Sequence, residues 1–534
     1  MSKTAKKDEP WSKHVPDGTF DTVVIGSGMG GMTAAALLAK AGERVLVLEQ
    51  HYVPGGFTHT FRRPGYEWDV GVHAVGEVTH HSLTGRLLEH LTDGRLQWAS
   101  LGATYDEFTY PDGLQLSFPD SPAQFRENLI DAFPKEQRAI DEYLHLVKAV
   151  AGTMRGYYLA RLAPKSLSKV ADTLMARKAK QYLTMRCKDV IDGLTDDERL
   201  RGVFAAQWGY YGAPPSRASF AMQALVVKHF LHGGYYPVGG SGRIAEELLR
   251  TVADAGGWTA IRSDADEILI EGGKAVGVRL TSGREVRSKK VLSAAGVLST
   301  VTRLLPESHR DERWAASIRE LDPSPAHVCL YLGFEGDVRT AGATAANQWF
   351  YETWDMEKDA WDVDADGPKG DAPVLYCSFP SLKDPEHDPG PKQRHTGEVV
   401  TFVPWETFAP YKDARWHKRG PEYEALKKKV EQKLLAHFVR RMPKLEPLLT
   451  HVELSTPAST HHFVRPMHGA IYGLEPTTER FENEWLRPRS PIGNLFFGGS
   501  EVATVGVIGA MMGGVLGATA AAPLAAFDIL RKVS

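Results

Sequence analysis

Apolar residues cluster first at Val23-Val24-Ile25 and again at Val45-Leu46-Val47-Leu48, each a short β-branched run without polar alternation. Runs of this kind predict strands buried on both faces of a parallel sheet. Between them, Met32 to Ala41 is rich in Ala and Leu and predicts a helix. From Asp266 to Gly296 apolar triplets alternate with Gly272-Gly273 and Ser282-Gly283, which predicts a β-meander. Near the end, Asn494 to Phe497 predicts a strand, and Val502 to Phe527 is a charge-free stretch. Its length alone satisfies a membrane span, but five glycines between Gly506 and Gly517 and the preceding Gly498-Gly499 turn predict a helix packed close against a sheet or ligand.

Residues 236–249 show a Gly-rich turn opening a helix, with no strand expected before it, since His232 to Tyr235 is a loop signal. Residues 101–230 and 311–460 are mixed, aromatic-containing and without a fingerprint. The predicted fold is α/β, a Rossmann-type doubly wound parallel sheet with a β-meander plus a mixed α+β substrate domain. The cofactor-binding part is discontinuous over 17–100, 231–310 and 461–534, the substrate part covers 101–230 and 311–460, and 1–16 is expected to be a flexible leader.

The first strand runs into Gly26, Gly28 and Gly31 at G-x-G-x-x-G spacing. The first glycine permits a tight turn, the second a close backbone approach to a pyrophosphate, and the third close helix packing. Ser27, Met29 and Gly30 fill the same turn, and the helix N-terminus aims free N–H groups at the phosphates. Glu49 closes the second strand, beside Gln50, where a carboxylate accepts from a ribose diol; this favours FAD or NAD over NADP.

Composition narrows the classes. Among 534 residues, 63 basic and 66 acidic side chains give a net charge of −3, so no electrostatic case for nucleic acid exists. Cys187, Cys329 and Cys377 lack metal spacing and are expected to be buried thiols of a cytoplasmic protein. No metal site is expected: Thr460-His461-His462 lacks a third ligand, and the acidic run from Asp362 lacks the closing Glu of a calcium loop, having Pro373 there. Leu159 to Leu183 carries Arg161, Lys165, Lys169, Arg177, Lys178 and Lys180 against Asp172. A solvated helix face and a peripheral membrane-surface helix are its two readings.

Further segments carry a resemblance: Gly55-Gly56-Phe57-Thr58-His59-Thr60-Phe61, Asp69-Val70-Gly71-Val72-His73, Tyr236-Pro237-Val238-Gly239-Gly240, Gly469 to Gly473, and Gly498-Gly499-Ser500-Glu501 with Val505-Gly506-Val507-Ile508-Gly509-Ala510. With the fingerprint they resemble the FAD domain of the phytoene desaturase superfamily, nearest its carotenoid isomerase and retinol saturase branch. The resemblance implies non-covalent FAD, with Gly26, Gly28 and Gly31 at the pyrophosphate and Glu49 at the ribose. It implies Gly55, Gly56 and Thr58 along the phosphates or ribitol, Glu501 near the pyrophosphate or ribitol, and Gly506, Val507 and Ile508 at the flavin; Gly71, Ala294 and Gly499 complete the set. Phe57 stands where related oxidases carry Arg or Lys, and Thr504-Val505 where many desaturases have Pro-Gly.

The implied activity is flavin-dependent oxidoreduction of a C=C bond in an apolar polyene, retinoid, carotenoid or unsaturated fatty-acyl substrate, in the saturase direction. A desaturase or redox-neutral isomerase is the rival within the superfamily. An amine oxidase-like enzyme is disfavoured because no lysine is placed near the flavin, and a non-catalytic flavin- or carotenoid-binding protein is the rival from another class. Candidate proton donors are His73, His468 and Tyr472. One nucleotide fingerprint makes NAD(P)H a transient donor at most.

Overall fold

The computed structural model describes residues 9–533. The strands Phe20–Ile25 and Val45–Leu48 pair in parallel, and Trp258–Ala260 extends the sheet beyond the second. On the other side Glu285–Ser293 does two jobs. Its first half closes an antiparallel meander with Lys274–Leu280 and Ala265–Glu271, and its second half lies parallel between Phe20–Ile25 and Leu495–Phe497. The predicted doubly wound sheet with a β-meander is therefore present, and the third meander strand is the splice between them.

The helix Met29–Lys40 packs on this sheet and against the glycine-rich helix Gly506–Ala521. The glycines permit that contact. A Cβ on Gly513 would lie 1.8 Å from the Gly499 carbonyl oxygen, and one on Gly514 would lie 2.2 Å from that of Gly30. Among the described residues no helix is long and apolar enough to cross a membrane.

A second sheet has seven strands, in the order Leu449–Ser455, Ala326–Glu335, Arg394–Val403, Val374–Ser378, Asn347–Tyr351, Thr104–Thr109 and Gln115–Pro119. It joins chain segments more than two hundred residues apart, since Asn347 pairs with Asp106. The strand Ala326–Glu335 is buried along nearly its whole length. Val328, Leu330, Leu332 and Phe334 pack in one core with Leu426, Val430, Leu434 and Phe438 of the helix Pro421–Arg441, while Cys329 and Tyr331 belong to the aromatic core on the other side. All three cysteines are free and buried.

Three expectations change. Tyr235–Pro237 is a strand after all, paired with Trp98–Ser100, because a partner distant in sequence satisfies its backbone. The leader divides: residues 1–8 lie outside the described residues, whereas Ser12 exchanges backbone hydrogen bonds with Thr259 and Ile261, and Trp258 Nε1 donates to the His14 carbonyl. Docking on the sheet edge fixes that second half. Residues 159–183 form no single amphipathic helix. The helix Gln137–Leu162 ends before Pro164, and after the turn Lys165–Leu167 a second helical run follows without a break, Ser168–Ala171, a π-helical stretch Asp172–Ala176 and Arg177–Leu183. Arg161 is buried against Tyr157, and Asp172 is held by Lys180 at 2.7 Å and Arg487 at 2.9 Å.

Candidate functional site

A cavity of about 520 Å³ runs from the carboxyl ends of the parallel strands to the face of the second sheet. The carboxyl-end crevice of an α/β sheet is where ligands are expected. Predicted residues meeting on its wall are Gly26, Ser27, Gly28, Met29, Gly30, Glu49, Gln50, Gly56, Thr58, Gly71, His73, Ala294, Tyr472, Gly499, Glu501, Gly506 and Val507. The chain thus brings residues from both ends and the middle to one surface.

At the fingerprint end Glu49 is buried, and its carboxylate is already oriented. Ser27 N and Oγ donate to Oε2 at 3.0 and 2.5 Å, and His51 N donates to Oε1 at 2.7 Å. An ionised carboxyl has about four lone-pair sites, so about one remains for a hydroxyl. Ser27 Oγ in turn accepts from Gly55 N at 3.1 Å, which ties the 55–58 turn over the glycine turn. Gln50 Nε2 donates to the Phe463 carbonyl.

A Cβ at Gly28 would meet nothing within 4 Å, nor would one at Gly506, the first residue of the last long helix, so both leave open backbone on the cavity wall. Arg303, which sequence reasoning passed over, also lines the cavity and has a buried, unpartnered Nε. The open backbone of Gly28, which caps the N-terminus of the helix Met29–Lys40, fits a dinucleotide pyrophosphate, and Arg303 offers a further N–H on the same cavity wall.

Glu501 is buried opposite Gly296 and Gly473, and accepts from Leu298 N at 2.9 Å. Burial raises its pKa, against the pull of the Leu298 N–H and the Arg480 guanidinium.

The far end is aromatic and apolar. Tyr210, Trp349, Val374, Tyr376, Val400 and Phe402 line it, the last five from three neighbouring strands of the second sheet. From the run Trp208 to Tyr211 only Tyr210, with Gly209, reaches the cavity; Trp208 and Tyr211 are core, and Tyr236 OH donates to Asp69. Tyr472 lines this end and is tied by its OH to the Gly209 carbonyl at 2.9 Å. His73 lines it too, beside Tyr376, with ring centroids 5.0 Å apart.

Four predicted residues are absent from the cavity wall. Gly31 is a packing glycine, since its Cβ would fall 2.0 Å from the Gly26 carbonyl oxygen. Gly55 sits behind the wall, paired with Gly28, and Ile508 turns into the core shared by the two packed helices. His468 is exposed, stacks on Trp405 at 6.0 Å, and leaves the list of candidate proton donors. A helix turns its residues through 100° each, so consecutive positions cannot all face one ligand.

Lys383, Glu398 and Asp69, which sequence reasoning did not select, form an ionisable cluster behind His73. Burial and the neighbouring Glu398 raise the Asp69 pKa to about 7 although Ser241 and Tyr236 donate to it, and burial lowers that of Lys383 to about 8. Only the segment holding His73 carried a motif. Asp69 opens that same segment, whereas Lys383 and Glu398 lie on stretches with no spacing signal.

The family model for flavin containing amine oxidoreductase matches residues 29–522. The all-trans-retinol 13,14-reductase of Danio rerio is 31% identical over 526 residues, covering 94% of this chain and 86% of that protein. The chloroplastic prolycopene isomerase 1 of an Oncidium hybrid cultivar is 26% identical over 472 residues, covering 86% and 76%. Among solved structures, an oxidoreductase from Methanosarcina mazei superposes with a TM-score of 0.60 at 17% identity, covering 92% of this chain and 98% of that one.

Proposed function

This chain belongs to the flavin containing amine oxidoreductase family, and we propose that it is an FAD-dependent saturase reducing one C=C bond of an apolar polyene of the retinoid or carotenoid class. The observation that carries the reading is the single cavity, with a dinucleotide cradle at one end and an apolar aromatic chamber at the other. Retinol reductase and prolycopene isomerase relatives, both named for polyene chemistry, support it.

Bound FAD supplies hydride chemistry, while the protein contributes binding, orientation and exclusion of water. Gly28, Glu49 and Gly506 would hold its pyrophosphate, ribose and flavin ends, while Trp349, Tyr376 and Phe402 would exclude water from the polyene. His73 is the proposed proton donor; burial lowers its pKa to about 3, so the ring is neutral at physiological pH. Residues 101–230 and 311–460 are proposed as the substrate part. A reduced nicotinamide is proposed only as a diffusing donor.

Anaerobic mixing of dithionite-reduced protein with all-trans-retinol, followed by mass analysis, tests the direction. The expected product is heavier by two hydrogens. Unchanged mass with altered retention supports the isomerase reading instead, and protein purified without a flavin spectrum removes both. Replacing dithionite by NADH or NADPH tests the donor.

The turn and helical run over 165–178 are proposed as a membrane-surface face. Leu167, Val170, Leu174 and Met175 are exposed there, Leu174 by 78%, beside exposed Lys169, Arg177 and Lys178. Apolar side chains among cations suit an anionic bilayer surface. Flotation with anionic liposomes is expected for the wild type and lost on Leu174→Asp together with charge reversal of Lys169, Arg177 and Lys178. Flotation that survives those changes, or is absent from the wild type, sinks the idea.

A further inference from the structure

His73 follows the strand Tyr66–Asp69, and the two edges of its ring face different surroundings. Its Nδ1 is buried and lies 2.9 Å from Glu398 Oε2, off the straight line of a good hydrogen bond. Its Nε2 has no protein partner among the described residues, and the residue lines the cavity.

Glu398 sits mid-strand in Arg394–Val403, with a side chain wholly removed from solvent. Lys383, Asp69, Cys329, Tyr236, Tyr331, Tyr376 and His73 are titratable groups that interact with it. No cation touches its carboxyl. Lys383 Nζ spends its three donors elsewhere, on the His73 carbonyl at 2.7 Å, Asn347 Oδ1 at 2.5 Å and Ser378 Oγ at 2.7 Å. Burial therefore pushes the Glu398 pKa well up, beyond what the Lys383 charge offsets. Burial of both groups thus favours a carboxylic acid facing a neutral imidazole over an ion pair.

We propose that Glu398 is the proton source for His73, passing its proton to Nδ1 as the Nε2 proton leaves for the substrate carbon, with Lys383 positioning the ring through the His73 carbonyl. The inference rests on the saturase reading. The Glu398 O–H and His73 Nε2–H bonds break, while Nδ1–H and C–H bonds form. The electron pair for C–H is the one left on the carbon neighbouring the hydride acceptor, and the two electrons come from the reductant, dithionite in the assay. One proton taken up at Nε2 from water then reverses the shift and restores the acid. Glu398 and Lys383 act through His73 and are positioning and proton-supplying residues.

The test has an arm independent of turnover. ¹⁵N-histidine NMR of the full-length flavin-loaded protein, with the His73 signal assigned by its loss in H73Q, is expected to show a neutral ring protonated at Nε2 at about pH 7. E398Q keeps that tautomer, because its amide still donates to Nδ1, and E398A loses it. A charged ring, or a proton on Nδ1 in the wild type, overturns the proposal. In the retinol assay E398Q is expected to slow reduction about 100-fold at unchanged flavin content, with E398D restoring part of the rate. A full-rate E398Q overturns the relay. If the wild type reduces no retinoid or carotenoid while the tautomer pattern holds, the saturase reading fails and the acid–imidazole pair survives without that substrate.

Discussion

Replacing Gly28 by valine is expected to leave the fold intact and to abolish cofactor retention. Gly28 has φ −66°, ψ 173°, a conformation open to any L residue, and a Cβ there meets no atom within 4 Å. The substitution therefore adds neither strain nor a clash, and the apoprotein should change by no more than about 0.5 kcal/mol, as for a surface site. The new side chain projects into the cavity where the backbone must approach a pyrophosphate. Holding the phosphates further away loses their hydrogen bonds to the turn and to the helix N-terminus, and FAD affinity is expected to fall at least ~100-fold, or about 3 kcal/mol. The flavin-to-protein absorbance ratio of purified protein and the apoprotein melting curve check the two halves separately. Full flavin occupancy in Gly28→Val would show that the cofactor does not lie on this turn.

Gly513→Ala is expected to fail in the opposite way, by loss of the fold. On helix propensity alone, Ala for Gly within Gly506–Ala521 should stabilise by about 1 kcal/mol. The added carbon would stand 1.8 Å from the Gly499 carbonyl oxygen, 2.5 Å from its carbonyl carbon and 2.9 Å from its nitrogen. These are backbone atoms that no rotamer change can move. Parting the helix from the 498–501 turn also disturbs Gly499 and Glu501 on the cavity wall. Overpacking of this severity reaches about 3 kcal/mol or more, which outweighs the propensity gain. Thermal unfolding and soluble yield are the measurements, and a wild-type midpoint for Gly513→Ala would mean that the two helices do not interlock as described. Gly28→Val and Gly513→Ala together separate the glycines that face a ligand from those that face the protein.

That separation is where reading the chain alone was weakest. Position by position, Gly26, Gly28 and Gly31 look equivalent in a motif, and the family resemblance assigns all three to the pyrophosphate. Local reasoning about the third glycine, as a helix-packing residue, agrees with the structure; the resemblance does not. Glu49 was legible because strand, turn, helix, strand and acid come in order within thirty residues. His468 misled because it stands in a recognisable segment, yet its backbone has φ 55° and its ring turns out onto Trp405. Sequence proximity to a motif does not fix the direction of a side chain.

The cluster behind His73 was illegible for another reason. Lys383 and Glu398 stand hundreds of positions from Asp69 and His73, and each alone looks like an ordinary surface charge. Their chemistry arises from shared burial, which a one-dimensional pattern does not contain. The centre of the second sheet was hidden likewise, because the strands Ala326–Glu335, Arg394–Val403, Val374–Ser378 and Asn347–Tyr351 are buried on both faces and lack the alternation that marks a half-exposed strand.

By itself the sequence determined the parallel sheet, the β-meander, and the glycine turn with its acid that lines one end of the cavity, since each is a local pattern of a few to thirty residues. The tertiary structure alone decided which glycines face the cavity, what forms the aromatic chamber, and which acid stands behind His73. Those properties are set by contacts between segments far apart in the chain, through steric exclusion and desolvation, and both depend on what is near in space.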